Sequence, residues 1–247
     1  MNEYINLTLE NIDKEHLCCA IGDKKHQLGV DKKKEWIKSK LKEGYVFRKL
    51  NARGKIFIEY EPIETAWVPV SGKNYEYIYC LWVAGSFKGK GIGKELLEYA
   101  INDAKEKGMS GICTLTSKKK KPFLSEKNFF EHYGFKVIDS IGEYELLALQ
   151  FKKSEPPKFN DNARKMMIDN QKFTIYYNNE CPYTEYEVNE LTEYAKNHNM
   201  EINFIKIDTL EKAKNAPCIF NNWANFYKGK FVSNTILNAN SLEKLIK

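Results

Sequence analysis

The fold is decided by the stretch Trp82-Val83-Ala84-Gly85-Ser86-Phe87-Lys88-Gly89-Lys90-Gly91-Ile92-Gly93-Lys94. An apolar strand stops at Ala84, and a loop with glycines at three alternate positions then opens a helix. Backbone N–H groups at a helix start have no partner within the helix, and the helix dipole adds partial positive charge there. Glycine lets this backbone approach a ligand closely, and the lysines of the loop add full charges. The pattern predicts a site for phosphate or pyrophosphate.

The composition is that of a folded protein without a membrane span. The 247 residues are 43% hydrophobic, which is enough for one large core or two modest ones. No apolar run reaches the length of a transmembrane helix, and the polar N-terminus indicates no signal peptide. The six cysteines form no CxxC pair and accompany no histidine cluster, so we predict no metal site and no disulfide framework. We therefore expect a cytoplasmic protein.

The net charge of +6 lies entirely in residues 1–153, which hold 27 basic and 21 acidic residues, whereas residues 154–247 carry no net charge. The basic excess accompanies the glycine-rich loop and favours a small anionic ligand there. It also permits weak nucleic-acid binding, but the sequence contains no recognised nucleic-acid motif. We therefore predict neither a nucleic-acid partner nor a membrane partner. The sequence leaves the oligomeric state open.

Hydrophobic periodicity predicts strands and helices along the chain. Before the loop it predicts a strand over 4–9, a short helix capped by Asp13 and running to residue 20, a helix over 32–41, and strands over 45–50, 55–60 and 75–84. The lysines of the helix over 32–41 are interpreted as its solvated face. After the loop it predicts a helix over 92–107, a strand over 111–116, a helix capped by Ser125 and running to residue 133, and paired strands over 136–140 and 144–151.

A second part of the chain follows a stretch without periodicity. Residues 154–171 begin with Ser154-Glu155-Pro156-Pro157, and we place the domain linker there. The pattern then predicts a strand over 172–177, a turn over 178–184, a helix over 185–197, a strand over 202–207, a strand beginning within 216–220, a hairpin over 226–232 and a helix over 241–246.

Three known phosphate loops can be compared with the glycine-rich loop. A P-loop needs GxxxxGK[ST], which is absent, and a dinucleotide fingerprint needs GxGxxG within a βαβ unit. Residues 75–135 instead resemble the GNAT acetyltransferases, because a strand over 77–82, the loop from Lys88 to Gly93, a helix, a strand over 112–116 and the segment Asn128-Phe129-Phe130-Glu131-His132-Tyr133-Gly134-Phe135 follow in that family's order. The resemblance covers residues 1–150. Residues 172–247 resemble the thioredoxin-like C-terminal domain of YoaP-like acetyltransferases.

The resemblance implies a fold and an activity. The expected fold is α/β (α+β), with a mixed, mainly antiparallel GNAT-type sheet that has helices on both faces, and a smaller thioredoxin-like C-terminal domain. The expected domains are 1–153 (GNAT-like), 154–171 (linker) and 172–247 (thioredoxin-like, YoaP-type). The expected activity is that of an N-acetyltransferase, which passes the acetyl group of acetyl-CoA directly to a primary amine of a small molecule or peptide. Acetyl-CoA is the implied co-substrate, and no metal is implied.

The same resemblance implies the coenzyme-binding residues. In this family the strand before the loop contacts the acyl carbonyl and the pantetheine, and the loop holds the pyrophosphate. The corresponding residues here are Leu81, Trp82, Val83, Lys88, Gly89, Lys90, Gly91, Ile92, Gly93 and Lys94. Lys88 replaces the family's Arg or Gln and would pair with phosphate as a point charge. The lysines at 118–121 are interpreted either as contacts to the 3′-phosphate of coenzyme A or as a solvated loop.

Catalysis of acetyl transfer needs a base to remove the amine proton. The candidates are Glu59, Glu64, Glu76 and His132, of which Glu59 and Glu64 are the predicted catalytic carboxylates. The alternative for each carboxylate is an ordinary place on the solvated surface. The family's frequent catalytic tyrosine falls at Phe130, which cannot donate a proton. Tyr133 is the predicted replacement, unless another hydroxyl acts or the coenzyme A thiolate leaves without an acid.

Trp67, Trp82 and Cys181 are the predicted substrate-binding residues, with an ordinary core position as the alternative for each tryptophan. Cys181 precedes a helix, which should lower its thiol pKa, but Thr184 stands where a redox CxxC motif has its second cysteine. Pro217 is either a cis-proline beside this turn or an ordinary proline at a strand start. We favour a degenerate module that binds a substrate or completes the pocket. Two further alternatives are a thiol-redox or thiol-binding protein that uses Cys181, and a non-catalytic acyl-CoA binder.

Overall fold

A computed structural model describes residues 2–17, 19–220 and 222–246, which form two compact units. The first unit extends to Ile21 and continues over Ile37–Ala66 and Val70–Phe159. The second comprises Gly22–Trp36, Trp67–Pro69 and the residues from Asn160 onwards. The division after Phe159 falls within the predicted linker, whereas the grouping of Gly22–Trp36 with the C-terminal residues was not predicted.

The first unit is built on a sheet. Its strands are, in chain order, β1 (Tyr4–Asn6), β2 (Val46–Leu50), β3 (Ile56–Pro62), β4 (Val70–Ser71), β5 (Tyr75–Val83), β6 (Gly111–Ser117), β7 (Lys136–Ile141), β8 (Tyr144–Gln150) and β9 (Lys158–Phe159). Seven strands form one sheet in the order β1-β2-β3-β5-β6-β8-β7, and β4 pairs with β9. All neighbours in the large sheet are antiparallel except β5 and β6. The predicted mixed, mainly antiparallel sheet is confirmed.

The helices α2 (Ile92–Glu106) and α3 (Lys127–His132) belong to this unit, whereas α1 (Gln27–Leu41) has its residues up to Trp36 in the second unit and the rest in the first. The apolar residues of α2 recur with helical spacing, so they form one buried stripe that ends at Ala104. This stripe packs with alternate residues of β3, namely Ile56, Ile58 and Tyr60. Because alternate strand residues point to one face, the intervening residues of β3 lie on the opposite face of the sheet.

The second unit contains a smaller sheet. Its C-terminal elements are α4 (Asp161–Arg164), β10 (Phe173–Tyr177), α5 (Thr184–Asn197), β11 (Ile202–Lys206), α6 (Leu210–Lys214), β12 (Trp223–Tyr227), β13 (Lys230–Ser233) and α7 (Ala239–Ile246). The strand order is β11-β10-β12-β13, with β10 parallel to β11 and the other pairs antiparallel. From β10 onwards the chain therefore follows a β-α-β-α-β-β-α sequence.

Two predicted helix starts are wrong. Residues 14–17 form a turn, a bend and irregular backbone rather than a helix, and the Asn11 side chain accepts the N–H of Thr8 in the turn before them. The predicted helix at Ser125 begins at Lys127 instead, after an N-cap residue that makes no side-chain cap. Cys18, which lies in the first of these predicted helices, is outside the described residues.

The interpretation of the α1 lysines as a solvated face is wrong for Lys33 and Lys40, whereas Lys32 is exposed. Lys33 and Lys40 are each 1% exposed, because each has a buried carboxylate within ion-pair distance. Around Pro217, the described part of the chain contains no cis peptide bond. No strand begins within 216–220, where the Phe220 N–H donates to the Cys218 carbonyl at 2.7 Å and closes a turn; β12 begins at Trp223.

Candidate active site

The glycine-rich loop lies between β5 and α2. A short 3-10 turn over Gly85–Phe87 follows the strand, and α2 is capped at Gly91 without a side-chain hydrogen bond. Gly85, Gly89 and Gly91 have φ values of 63°, 73° and 77°, which residues with a Cβ rarely adopt. Among the described atoms, none lies within 4 Å of the place that a Cβ on these three glycines would take. The outer side of the loop backbone is therefore open at the N-terminus of α2.

The strand that leads into the loop leaves its neighbour before it ends. The ladder between β5 and β6 stops at the pair Ile78–Thr114, whereas β5 continues to Val83. On its other side β5 stays paired with β3, with a register shift that leaves Tyr79 as an extra residue. The last part of β5 therefore has one paired side and one side without a strand partner in the described ladder. This opening is directly continuous with the glycine-rich loop.

The lysines of the loop and the nearby lysine run differ in their partners. Lys88, Lys90 and Lys94 are exposed, and Lys94 pairs with Glu98 across one helical turn at 3.7 Å. The run at 118–121 is tied to carbonyl and carboxylate groups around the β7–β8 turn and to Glu126. The hydrogen bond and charge of Lys120, and to a smaller extent the charge of Lys88, hold the pKa of the Glu126 carboxyl below its usual range. The charges of Lys120 and Lys88 thus act on the same carboxyl group.

The base candidates lie in different places. Glu59 is on β3 opposite Cys80, is 1% exposed, and accepts a hydrogen bond from the Tyr45 hydroxyl. Glu64 is exposed and accepts the backbone N–H of Asn74 at 2.8 Å, just before β5 begins. Because the glycine-rich loop follows the other end of β5, the strand separates Glu64 from it by eight steps of ~3.3 Å, which is ~26 Å.

Glu76 is buried and belongs to an ion-pair group at the C-terminal end of α2 whose other members, Lys107 and Asp103, are partly exposed. It accepts a hydrogen bond from Lys107 at 3.1 Å, and Lys107 also pairs with Asp103 at 2.6 Å. Burial raises the pKa of the Glu76 carboxyl to about 7, against the opposing effect of the Lys107 charge. This group is at the far end of α2 from the glycine-rich loop. Glu64 and Glu76 therefore lie toward the start of β5, whereas Glu59 lies on β3 beside the open part of β5.

The aromatic residues of α3 lie near the start of α2. A ring carbon of Phe129 is 3.5 Å from the place that a Cβ on Gly93 would take, and the Tyr133 ring centroid is 5.1 Å from that of Phe129. Tyr133 is thus close to the loop. Phe130 is fully buried in the core beneath α2, and His132 is exposed.

The two predicted tryptophans lie in different surroundings. Trp82 is 36% exposed on β5, with the Lys55 ammonium 5.6 Å from its ring centroid. Trp67 belongs to the second unit, where it meets the Trp36 ring edge-on at 5.9 Å and packs against a core cluster that includes Phe220. The packing of Trp67 is that of a core aromatic residue.

Cys181 lies in the turn between β10 and α5 and is 8% exposed. The fully buried Thr184 hydroxyl is within hydrogen-bond distance of the carbonyls of Asn178 and Cys181, at 2.8 and 2.9 Å, and so holds the turn closed. The first half of α1 packs against the same turn, because an ideal Cβ on Gly29 would lie 1.8 Å from the Pro182 carbonyl oxygen.

Side chains of α1 and the preceding residues complete this packing in the second unit. Lys33 Nζ lies 3.9 Å from Glu180 Oε1, with both groups buried. The His26 ring meets the rings of Tyr183 and Tyr186 edge-on, at centroid distances of 4.6 and 5.1 Å. The turn that carries Cys181 is therefore covered by residues that are distant in sequence.

Sequence reasoning missed a second buried carboxylate on β3. Glu61 is fully buried and accepts hydrogen bonds from the hydroxyls of Tyr79 and Thr65, while Lys40 pairs with it at 2.9 Å. Burial raises the pKa of the Glu61 carboxyl to about 7, which Lys40 and Tyr79 oppose. The sequence feature that could have revealed Glu61 is its spacing of two residues from Glu59, because residues two apart in a strand point to the same face.

Within residues 2–17, 19–220 and 222–246, none of the helices has the length and apolar character of a membrane span. In the same part of the chain, no group of three or more His, Cys, Asp and Glu side chains is arranged to hold a metal ion.

Comparisons with known proteins agree with the sheet and the loop. A family model described as an acetyltransferase (GNAT) domain matches residues 52–137, and one described as YoaP-like matches residues 201–244. Solved structures with similar folds include an N-acetyltransferase, PaiA, from Thermoplasma acidophilum in complex with coenzyme A, with 19% identity, a TM-score of 0.45, and coverage of 61% of this chain and 99% of that one. A GNAT-family acetyltransferase from Staphylococcus aureus Mu50 has 17% identity, a TM-score of 0.44, and coverage of 62% and 100%. These structural likenesses are too weak to carry the assignment.

The assignment rests on a relative in sequence. The chain belongs to the GNAT acetyltransferases and is an N-acetyltransferase of that family. Within it, the chain is 39% identical over 245 residues to a protein described as "Uncharacterized N-acetyltransferase YoaP" from Bacillus subtilis (strain 168), and the match covers 98% of each chain. The predicted family, including its YoaP-like part, is confirmed.

Proposed function

We propose that this protein transfers the acetyl group of acetyl-CoA directly to a primary amine of a small molecule or peptide. The observation that carries the proposal is the open glycine-rich loop, which starts α2 directly beyond the point where β5 leaves β6. Backbone N–H groups at a helix N-terminus suit a pyrophosphate, and a strand edge without a partner suits the amide groups of pantetheine. The positive charges at Lys88 and the 118–121 run favour the same polyanionic ligand.

The proposed binding roles follow the order of these elements. N–H groups from Lys88 to Lys94 bind the pyrophosphate, and the backbone of 81–83 faces the pantetheine and the acyl carbonyl. Lys88 contributes a flexible charge rather than the fork of an arginine. Tyr133 is proposed as the acid for the departing thiolate, and its contact with Phe129, which packs beside Gly93, supports this role.

We further propose Glu59 as the base that accepts the amine proton. In the reaction the amine nitrogen bonds to the acetyl carbon, the carbon–sulfur bond breaks with its electrons going to sulfur, and the amine loses one proton. Glu59 lies opposite Cys80, beside the open part of β5, whereas Glu64 and Glu76 lie toward the start of that strand. The hydrogen bond that Glu59 accepts from the Tyr45 hydroxyl orients its carboxylate.

Titration calorimetry with acetyl-CoA tests the binding role of the loop. Gly91→Val places a side chain in the open space at the start of α2, and we expect at least a tenfold loss of affinity, which corresponds to about 1.4 kcal/mol. Gly108→Val is the matched control, because Gly108 also has a positive φ of 72° and no described atom within 4 Å of its Cβ position, but lies just beyond the other end of α2. Absence of acetyl-CoA binding by the wild type would refute the proposal.

The acceptor is then sought by measuring coenzyme A release with a set of amines. Primary amines and N-terminal or lysine-containing peptides should support release, and matched alcohols should not. If the protein binds acetyl-CoA but none of the amines supports release of coenzyme A, the result would favour the non-catalytic acyl-CoA binder. Glu59→Gln should lower kcat and leave the affinity for acetyl-CoA unchanged.

For the C-terminal elements we propose a thioredoxin-like module that binds a substrate rather than performing dithiol redox chemistry. The β-α-β-α-β-β-α order with β10 and β11 parallel supports the fold, and the buried Thr184 hydroxyl at the second motif position argues against an internal disulfide. Labelling with iodoacetamide at neutral pH measures the reactivity of Cys181, and Cys181→Ser measures its contribution to acetyl transfer. Fast labelling together with activity that depends on Cys181 would favour the thiol-based alternative.

A further inference from the structure

Two buried carboxylates share the face of β3 that is opposite to α2. Glu59 is 1% exposed and Glu61 is fully buried. Each accepts a hydrogen bond from a tyrosine hydroxyl, Tyr45 for Glu59 and Tyr79 for Glu61. The two tyrosine rings are 6.2 Å apart, so the two bonds are neighbours in one polar layer of the first unit.

Glu61 is also held by a buried cation. Lys40 Nζ lies 2.9 Å from Glu61 Oε2 and donates to the Thr65 carbonyl at 2.7 Å, with Glu43 as a further partner. The Thr65 hydroxyl donates to the same Glu61 oxygen at 3.0 Å. Both oxygens of Glu61 are therefore occupied. A buried carboxylate with its charge and hydrogen bonds satisfied has one preferred position, because breaking any one contact leaves a buried group without compensation.

Tyr79, whose hydroxyl donates to Glu61, lies at an irregularity of the sheet. It is the extra residue at the register shift between β3 and β5. It also comes directly after Ile78, the last residue of β5 that pairs with β6. A β-bulge bends its strand and redirects the residues that follow. The hydroxyl of Tyr79 is thus attached to Glu61 at the point where β5 turns away from β6.

We propose that Lys40, Glu61 and Tyr79 form a bulge lock, and that Tyr79 is a positioning residue for acetyl transfer. The lock fixes the direction in which β5 leaves β6, and so fixes the backbone N–H groups of residues 80–83 against the thioester carbonyl. Tyr79 does not touch the reacting atoms in this account; it acts through the backbone that follows it. The inference rests on the proposed function, because it assigns an orientation to the strand that is proposed to face acetyl-CoA.

The test compares the affinities for acetyl-CoA and coenzyme A by titration calorimetry. The two ligands differ by the acetyl group, so the ratio of their Kd values reports the contact with the acyl carbonyl. In Tyr79→Phe we expect the preference for acetyl-CoA to fall about three- to tenfold, the range of one net hydrogen bond. The affinity for coenzyme A itself should change little.

Tyr60→Phe is the matched control. Tyr60 is a fully buried tyrosine one residue from Glu61, and its hydroxyl also donates to a carboxylate, Asp103 at 2.8 Å, but on the α2 face of the sheet. We expect a comparable loss of thermal stability in both variants and an unchanged ligand preference in Tyr60→Phe. A merely structural role for Tyr79 would lower stability and leave the ratio of Kd values unchanged.

A second pair of variants probes the same lock from α1. Lys40→Met removes the buried cation from Glu61 and should also reduce the preference for acetyl-CoA. Lys38→Met is its control, because Lys38 is on the same helix and pairs with the exposed Asp13 at 2.9 Å, a carboxylate that is not part of the lock. This pair decides the question if Tyr79→Phe does not fold.

The outcomes separate the two proposals. A wild type that binds neither ligand refutes the proposed function. A wild type that binds both ligands equally, or a Tyr79→Phe variant with an unchanged ratio of Kd values, refutes the bulge lock alone. A reduced ratio in Tyr79→Phe and in Lys40→Met, with both controls unchanged, supports it.

Discussion

Replacement of Gly29 by alanine measures how closely the first half of α1 packs against the Cys181 turn. In an unhindered helix the change should stabilise the protein by about 0.4–1 kcal/mol, because alanine restricts the unfolded chain. At Gly29 the new Cβ would lie 1.8 Å from the Pro182 carbonyl oxygen and 2.7 Å from the carbonyl carbon. Since Cβ atoms essentially never come within 3.0 Å of another heavy atom, the helix and the turn must separate by about 1.2 Å.

The obstacle is backbone, so no side-chain rotation can relieve it. Overpacking of this kind costs about 1–3 kcal/mol, and the separation also stretches the buried Lys33–Glu180 pair. We expect Gly29→Ala to lower the free energy of unfolding in urea by about 2 kcal/mol. Hydrogen exchange, followed by mass spectrometry, should rise in peptides that contain residues 22–36 and 178–188.

Gly93→Ala is the matched control, because Gly93 is also a helical glycine. Its Cβ would have its nearest described neighbour at 3.5 Å, which is ordinary contact. The expected change in its free energy of unfolding is zero or a gain of up to about 1 kcal/mol. A Gly29→Ala protein that is as stable as the wild type would show that α1 does not rest on this turn.

Three further changes have defined outcomes. Phe130→Tyr restores the family's tyrosine but puts a hydroxyl into a fully buried core position, so thermal denaturation should show a loss of about 1–3 kcal/mol, and retained stability with raised kcat would contradict this. Burial raises the pKa of Glu76 from 4.5 to about 7, so its stabilising contribution is complete below pH 4.5 and is lost as the pH rises through about 7. Glu76→Gln should therefore flatten the fall in urea stability between about pH 5 and about pH 8, and an unchanged slope would refute this assignment. Thr184→Val removes the hydroxyl that bonds two turn carbonyls and should cost about 1–2 kcal/mol in urea denaturation, whereas an unchanged midpoint would mean that the turn closes without it.

Most regular elements could be predicted because their signals are local. The α2 stripe follows a 3.6-residue period, and the strands of the hairpins alternate around short turns, so each pattern lies within one element. The errors occurred at short segments with weak local signals. Residues 14–17 form no helix, α3 begins two residues after Ser125 without a side-chain cap, and the segment 216–220 forms a turn instead of starting a strand.

The candidate site was predicted in part for the same reason. The loop from Gly85 to Gly93 is contiguous, and the structure gives three of its glycines the positive φ values that only glycine adopts easily. The carboxylates are not contiguous with it. Glu59, Glu64 and Glu76 look equivalent as sequence, and only the strand directions separate Glu59 from the other two.

The sequence by itself determined the glycine-rich loop, the helix that follows it and the family to which the chain belongs, because these depend on residues adjacent along the chain. Only the tertiary structure decided which charges are buried. Lys33 and Lys40 lie on the same helix, α1, yet each pairs with a carboxylate that is remote in sequence, Glu180 in one unit and Glu61 in the other. The bulge at Tyr79 is likewise a property of two strands in register. Such contacts join residues far apart in the chain, and no local pattern records them.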